Sequence, residues 1–246
     1  MAEKIQKQLF GGGGKGRLAR YREIVAGSCG NAFLLRYELC QLFLRNLPGL
    51  LGLALRGTFY RGLFRRAGRG LLVGAGVTLR NPRAIELGDR VVLDDGCVLD
   101  AKGLHGRGIR IGDDVFLSRQ AAVTCKDGSI ELGNDITVGP QTIIQSVGDS
   151  AVRIGSHVSI APTCYLVGCP DYRFDRRDIP MKDQGFGPGL GIEVEDDVWI
   201  GASTILLDGA RVRRGAVVGA LSLVRGEIEP YGIAVGIPAR KKRDRP

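Results

Sequence analysis

The chain is poor in aromatic side chains: Phe, Tyr and Trp make up 6% of its 246 residues, and tryptophan occurs once. A core built around large rings is excluded, and one made of aliphatic and small side chains is required. Histidine occurs twice, too few for a zinc site with three imidazole ligands. The six cysteines, Cys29, Cys40, Cys97, Cys125, Cys164 and Cys169, contain no Cys-x-x-Cys spacing, so neither a thiolate metal site nor a disulfide framework is indicated. The N-terminus lacks the apolar core and cleavage site of a secretion signal. The apolar run from Phe33 to Leu55 is broken by Arg36, Glu38, Arg45 and Pro48 and falls short of the roughly 20 apolar residues of a spanning helix. These absences point to a reduced, cytoplasmic protein that can lie on the inner face of a membrane without crossing it.

Glycine is abundant instead, with 38 residues, and 35 lysines and arginines outweigh 26 acids to give a net charge of +9. That excess sits at the ends. Residues 1–70 hold 13 basic residues against three acids, and Arg240-Lys241-Lys242-Arg243-Asp244-Arg245 holds five against one, leaving the body between them net negative. A basic segment interleaved with apolar residues suits peripheral contact with an anionic membrane through residues 18–70, and a short basic tail suits phosphate. No motif for nucleic acid accompanies either.

Aliphatic residues recur every six positions: Leu87, Leu93 and Leu99, then Ile111, Leu117 and Val123, then Leu132, Val138 and Ile144, then Ile154, Ile160 and Leu166, and then Val194 onward to Val224. Four residues after each anchor, except where an excursion follows, stands a small or β-branched side chain such as Val91, Cys97, Ala121, Thr142, Cys164, Thr204 or Ser222, and that series carries no charge. Glycine often follows the anchor, as in Leu87-Gly88, Ile111-Gly112 and Ile200-Gly201. Short strands with this pattern point one aliphatic and one small residue inward, then turn a corner where Gly, Asp or Asn relieves the backbone. Three sides close a triangular coil, and coils stack because none buries its own apolar face. Cys97 and Cys164 read as small core residues.

The expected organisation is a flexible tail at 1–17, a helical, basic, amphipathic extension at 18–70, an all-β parallel β-helix at 71–236 and a basic tail at 237–246. Pro48-Gly49 divides the extension into two helices. The run Gly11 to Gly14 lacks the Gly-Lys-Ser/Thr ending of a phosphate loop and reads as linker. Periodicity alone does not fix the hand of the β-helix.

The passage from Val194 to Arg240 carries Asp197-Val198-Trp199-Ile200-Gly201, Gly219-Ala220-Leu221-Ser222 and Gly236-Ile237-Pro238-Ala239-Arg240. In these motifs it resembles the last coils of the hexapeptide-repeat acyltransferases, among them the maltose, xenobiotic and exopolysaccharide O-acetyltransferases. With the earlier coils the likeness runs from about Val73 to Arg240. It implies a left-handed parallel β-helix that forms homotrimers, with acetyl-CoA in a groove between coils of two subunits and no metal. On that likeness Trp199, Gly201, Ala202, Gly219 and Ala220 line the pantetheine path, and Arg240 and Lys241 meet CoA phosphates. Small residues allow close approach of a thin chain and fixed cations neutralise phosphate, so chemistry agrees. The plainer alternative is that these residues only cap and fold the end of the helix.

Between Leu166 and Val194 the rhythm stops, and a loop at 168–191 is inserted. In the family this excursion resembles a segment whose His removes the acceptor's hydroxyl proton. This chain keeps Asp171-Tyr172, Asp178-Ile179-Pro180 and Gln184 but has no His there. Several alternatives stay open. Asp171 can serve as base if burial lifts it from the ordinary aspartate value of ~3.9. Cys169 can be acylated as a nucleophile. The loop can bind without catalysis, or the base can lie elsewhere. His157 follows Ile154-Gly155-Ser156 and reads as a solvated corner, and His105 reads as flexible loop. The expected activity is O-acyl transfer, acetyl above all, from CoA to a hydroxyl of a small molecule, sugar or lipid-linked glycan. The competing expectation is a catalytically impaired scaffold that binds CoA or glycan.

Overall fold

All the aliphatic anchors of the six-residue repeat point inward in the computed structural model, which describes residues 16–27, 29–103 and 108–246. The Gly11–Gly14 run and His105 lie outside the described residues. The small partners four places on point inward too: Val91, Cys97, Ala121, Thr142, Cys164, Thr204 and Ser222 are all buried. The strands form three sheets of eight, nine and seven members, in each of which a strand pairs with the third strand before and after it. Pairing is parallel throughout except for the last strand of the nine. The result is a three-sided solenoid whose coils stack at the ~4.8 Å spacing of hydrogen-bonded strands.

The corners refine what the repeat implies. Left-handed backbone falls three residues after the anchor, at Asp114, Asp135, His157 and Asp197 on one edge and at Gln120, Gln141, Thr163, Ser203 and Leu221 on the next. Asp takes that position on one edge, as expected, but Gln, Thr, Ser and Leu hold it as well. The glycines directly after the anchors serve a different purpose. A Cβ on Gly112 would sit 2.4 Å from the Gly133 carbonyl oxygen, and one on Gly201 would sit 2.5 Å from the Ala220 nitrogen. These glycines let one coil's corner rest on the next. Beside them runs a polar ladder in which the amide of Asp89 donates to Asp113, that of Asp113 to Asn134, that of Asn134 to Ser156 and that of Ser156 to Asp196, at 2.7–3.0 Å.

The extension holds three helices where two are expected: α1 (Arg17–Val25), α2 (Asn31–Phe43) and α3 (Gly49–Arg61). The extra break follows from Gly27, whose φ of +75° ends α1 in a conformation an L side chain resists. The last two helices close the first coil. Tyr37 donates its hydroxyl to the Leu79 carbonyl at 2.7 Å. Arg56, buried, donates to the carbonyls of Val73, Leu47 and Leu44 at 2.8, 2.6 and 3.1 Å, which satisfies a charge held away from water. At the other end the residues expected as a tail form the strand Arg240–Asp244, antiparallel to Gly232–Val235.

The outward positions differ from face to face. On the first face the cross-strand rungs read Arg66, Glu86, Arg110, Glu131, Arg153, Glu193, Arg211, Glu227, alternating in sign over the whole sheet. On the second they read Leu72, Val92, Phe116, Thr137, Ser159, Trp199, Val217, Ile233, with no charge.

Candidate functional site

Trp199 stands on the uncharged second face, 56% exposed, directly above Ser159 in the preceding coil. The strand Trp199–Ile200 runs into the corner Gly201-Ala202, and the next coil brings Gly219-Ala220 onto the same corner, where Leu221 donates its amide to the Ala202 carbonyl at 2.9 Å. Five of the residues expected to line a pantetheine path therefore lie together. Gly201 and Gly219 also carry an architectural duty, since a Cβ on Gly219 would meet the Val235 side chain at 2.5 Å. Val235 pairs with Arg240 in the terminal strand, which brings that cation to the same end of the solenoid. Arg240 is exposed. Lys241 is engaged by Glu229 and Asp244, each at 2.7 Å.

Two depressions among the described residues bear on the site. The larger, about 760 Å³, runs along the first face between rungs such as Glu86, Arg110, Glu131 and Arg153 and contains none of the expected residues. Its charges face one another, as in Arg110–Glu86 at 3.8 Å and Arg153–Glu131 at 3.9 Å, so a charged ligand meets little net field there. The smaller, about 320 Å³, holds Trp199 together with His157, Ser159, Val217 and the ion pair of Arg245 with Asp197. Neither Asp171 nor Cys169 lines it.

The inserted loop leaves the strand Tyr165–Gly168 and rejoins at Ile192–Val194. It forms an arm rather than an irregular excursion. Its two limbs meet where Tyr172 bridges Phe186, with ring centroids 4.4 Å apart, and where Gly187 donates its amide to Asp171 and Arg173 to Gly185. Gln184 closes the tip, accepting from the Arg176 amide at 3.0 Å and donating to the carbonyls of Arg176 and Ile179. Asp208 fixes the root: its carboxylate, buried, accepts the amides of Leu190 and Gly191 at 2.8 Å each. Arg211 donates to the carbonyls of the same two residues. Sequence reasoning missed Asp208 because it sits at an ordinary corner position of the repeat and its partners come from the far end of the arm.

The arm's two candidates occupy different surroundings. Asp171 has a side chain 65% exposed and paired with the guanidinium of Arg225, so the burial its role as base calls for is not provided within one chain. Cys169 is half-buried, and burial, then the carboxylates of Asp208 and Asp171, push its thiol up, away from the thiolate that attacks a thioester. Cys97 and Cys125 lie in the core, where burial drives their thiols to about 12. His157 occupies the solvent-exposed corner expected of it, at φ +59°, and its Nδ1 lies 2.8 Å from Asp135 Oδ2.

No family model matches the chain. Over 167 residues it is 34% identical to the "Probable acetyltransferase Rv3034c" of Mycobacterium tuberculosis, covering 68% of this chain and 54% of that protein. It is 30% identical to the galactoside O-acetyltransferase of Lactococcus lactis over 54% of this chain and 61% of that one. The chain thus spans about half the length of the curated relatives it matches. Among solved structures, a mutant of AntD, an N-acyltransferase from Bacillus cereus in complex with dTDP and coenzyme A, aligns with a TM-score of 0.54 at 20% identity over 76% of this chain and 88% of that one. At such identity the likeness concerns the fold, a left-handed parallel β-helix.

Proposed function

We propose that the chain is a hexapeptide-repeat acyltransferase that moves an acyl group, most simply acetyl, from CoA to a hydroxyl of a sugar or lipid-linked glycan. The observation that carries this is the meeting of Trp199, Gly201, Ala202, Gly219 and Ala220 at one uncharged corner, with Arg240 at the same end. An exposed indole and a column of small residues suit a thin, uncharged pantetheine arm, and Arg240 suits its phosphates. Lys241 would join it by exchanging one of its present carboxylates for phosphate. The uncharged second face is also the surface that fits a homotrimer, with acetyl-CoA between subunits.

Asp171 as base and Cys169 as nucleophile are the arm's two proposed contributions. Asp171 would need a neighbouring subunit to cover it and displace Arg225. A second reading, a scaffold that binds CoA or glycan without turnover, is favoured by the surroundings of these two residues. Thiol release from acetyl-CoA with a panel of sugars separates the two readings. Release is expected, and tight CoA binding without release would sink the enzyme. If Asp171→Ala and Cys169→Ala both keep the full rate, neither residue is involved.

Among the described residues no helix is long and apolar enough to cross a membrane. Peripheral contact, at the inner face of the membrane of a cytoplasmic protein, is supported by Leu42, Phe43, Leu50 and Leu51, exposed around the joint of α2 and α3, with Leu50 at 82%. No acid occurs between Glu38 and Glu86, a span that holds eight arginines. Sedimentation with anionic but not zwitterionic phospholipid vesicles is expected, and equal failure with both would refute it.

A further inference from the structure

We propose that His157, oriented by Asp135, is the group that takes the proton from the acceptor hydroxyl. This rests on the acyl-transfer reading above and places the base on a coil corner instead of the arm. The left-handed backbone at residue 157 throws the imidazole out of the coil, where its side chain is 68% exposed. Asp135 holds the equivalent corner one coil below and reaches Nδ1 at 2.8 Å. With the Nδ1 proton engaged by that carboxylate, the lone pair resides on Nε2, which is the arrangement a general base requires. Imidazole is also the side chain whose ordinary titration range lies around neutrality.

Position makes the pair more than a solvated corner. Asp114 and Asp197 take the same backbone conformation on this edge, so nothing in the fold calls for an imidazole there. Of these corners His157 and Asp197 border the cleft of about 320 Å³ that also holds Trp199 and Ser159, and Asp197 is taken up by Arg245. The charged groups facing the ring are Asp135, Asp197 and Arg245. The last two neutralise each other at 2.8 Å, leaving Asp135 as the net charge beside the imidazole. The imidazole and the Trp199 end of the proposed pantetheine path thus share one concave surface, open to an entering hydroxyl.

The step balances without a further reactant. As the hydroxyl oxygen bonds to the thioester carbonyl carbon, its proton passes to Nε2. The C–S bond then breaks, the sulfur leaves with the electron pair, and the imidazolium returns the proton to it. Asp135 is a positioning residue: it fixes the tautomer and favours the imidazolium that forms in between.

The test is thiol release from acetyl-CoA by the full chain with an acceptor that the wild type uses. His157→Asn retains a residue that tolerates the left-handed corner, so the melting temperature should hold. Its kcat is expected to fall about 10²- to 10⁴-fold with KM for acetyl-CoA changed less than about twofold. Asp135→Asn is expected to lower kcat roughly tenfold with KM for acetyl-CoA and Tm nearly unchanged, because the imidazole loses the partner that orients it. A corner residue with a purely structural role would move Tm and leave kcat in place. Wild-type kcat in His157→Asn overturns the assignment while leaving acyl transfer standing. Absence of release by the wild type with every acceptor overturns acyl transfer and this assignment with it.

Discussion

The first and second faces of the solenoid are built on the same backbone period and bury the same kinds of side chain, yet they present opposite surfaces. One is a ladder of alternating Arg and Glu, each charge flanked by its opposite in the coils above and below. The other offers eight uncharged rungs, with Leu72, Phe116 and Trp199 exposed. Charges satisfied within the face leave little for a partner to neutralise, and their desolvation would cost a partner more than it gained. Exposed apolar rungs, in contrast, gain from being covered. The inward half of the repeat makes the coil, and the outward half decides which side meets ligand or subunit.

Three sets of substitutions probe that division. The largest effect should come from the corners that serve the two faces. Gly112→Ala and Gly201→Ala each force a Cβ within about 2.5 Å of the next coil's backbone. Each should cost about 1–3 kcal/mol, a drop of several degrees in Tm. Only Gly201→Ala should also weaken CoA binding by calorimetry, and an unchanged Kd would reduce Gly201 to its stacking duty. Next comes Trp199→Ala, expected to raise the Kd for CoA about tenfold, or ~1.4 kcal/mol, with Tm nearly unchanged because the ring is exposed. Unaltered affinity would remove the second face from the binding path. The smallest effect should follow from Glu131→Arg, which places three arginines in succession with Arg110 and Arg153. A loss of about 1 kcal/mol is expected at low salt, shrinking at high salt and partly restored by adding Arg153→Glu. If Tm does not move, the ladder has no energetic weight.

Much of the fold was legible because a solenoid's core is periodic in sequence. Leu87, Val123, Ile160 and Val218 announce themselves by spacing, and so do their small partners. The helix break at Gly27 was not legible, since one glycine after Ile24-Val25-Ala26 carries no periodic signal. The terminal strand was missed because its partner is the exposed edge left by the last coil, a hydrogen-bonding opportunity that exists only once that coil has formed. Of the site, Trp199 and its corner were legible through a local motif. Asp208 at the arm's root, and the pairing of His157 with Asp135, were not.

What the sequence by itself determined is the coil: its inward residues, its approximate limits and the point where the rhythm breaks at Leu166. Only the tertiary structure decided which residues share a face. The rungs from Glu86 to Glu227 fall at unequal intervals because loops of different length intervene, so their alternation of charge appears only when stacking sets the register. His157 likewise meets Asp135 one coil below and shares a cleft with Trp199 one coil above through that stacking, since contacts between coils depend on how many residues each turn consumes and not on any spacing that can be read along the chain.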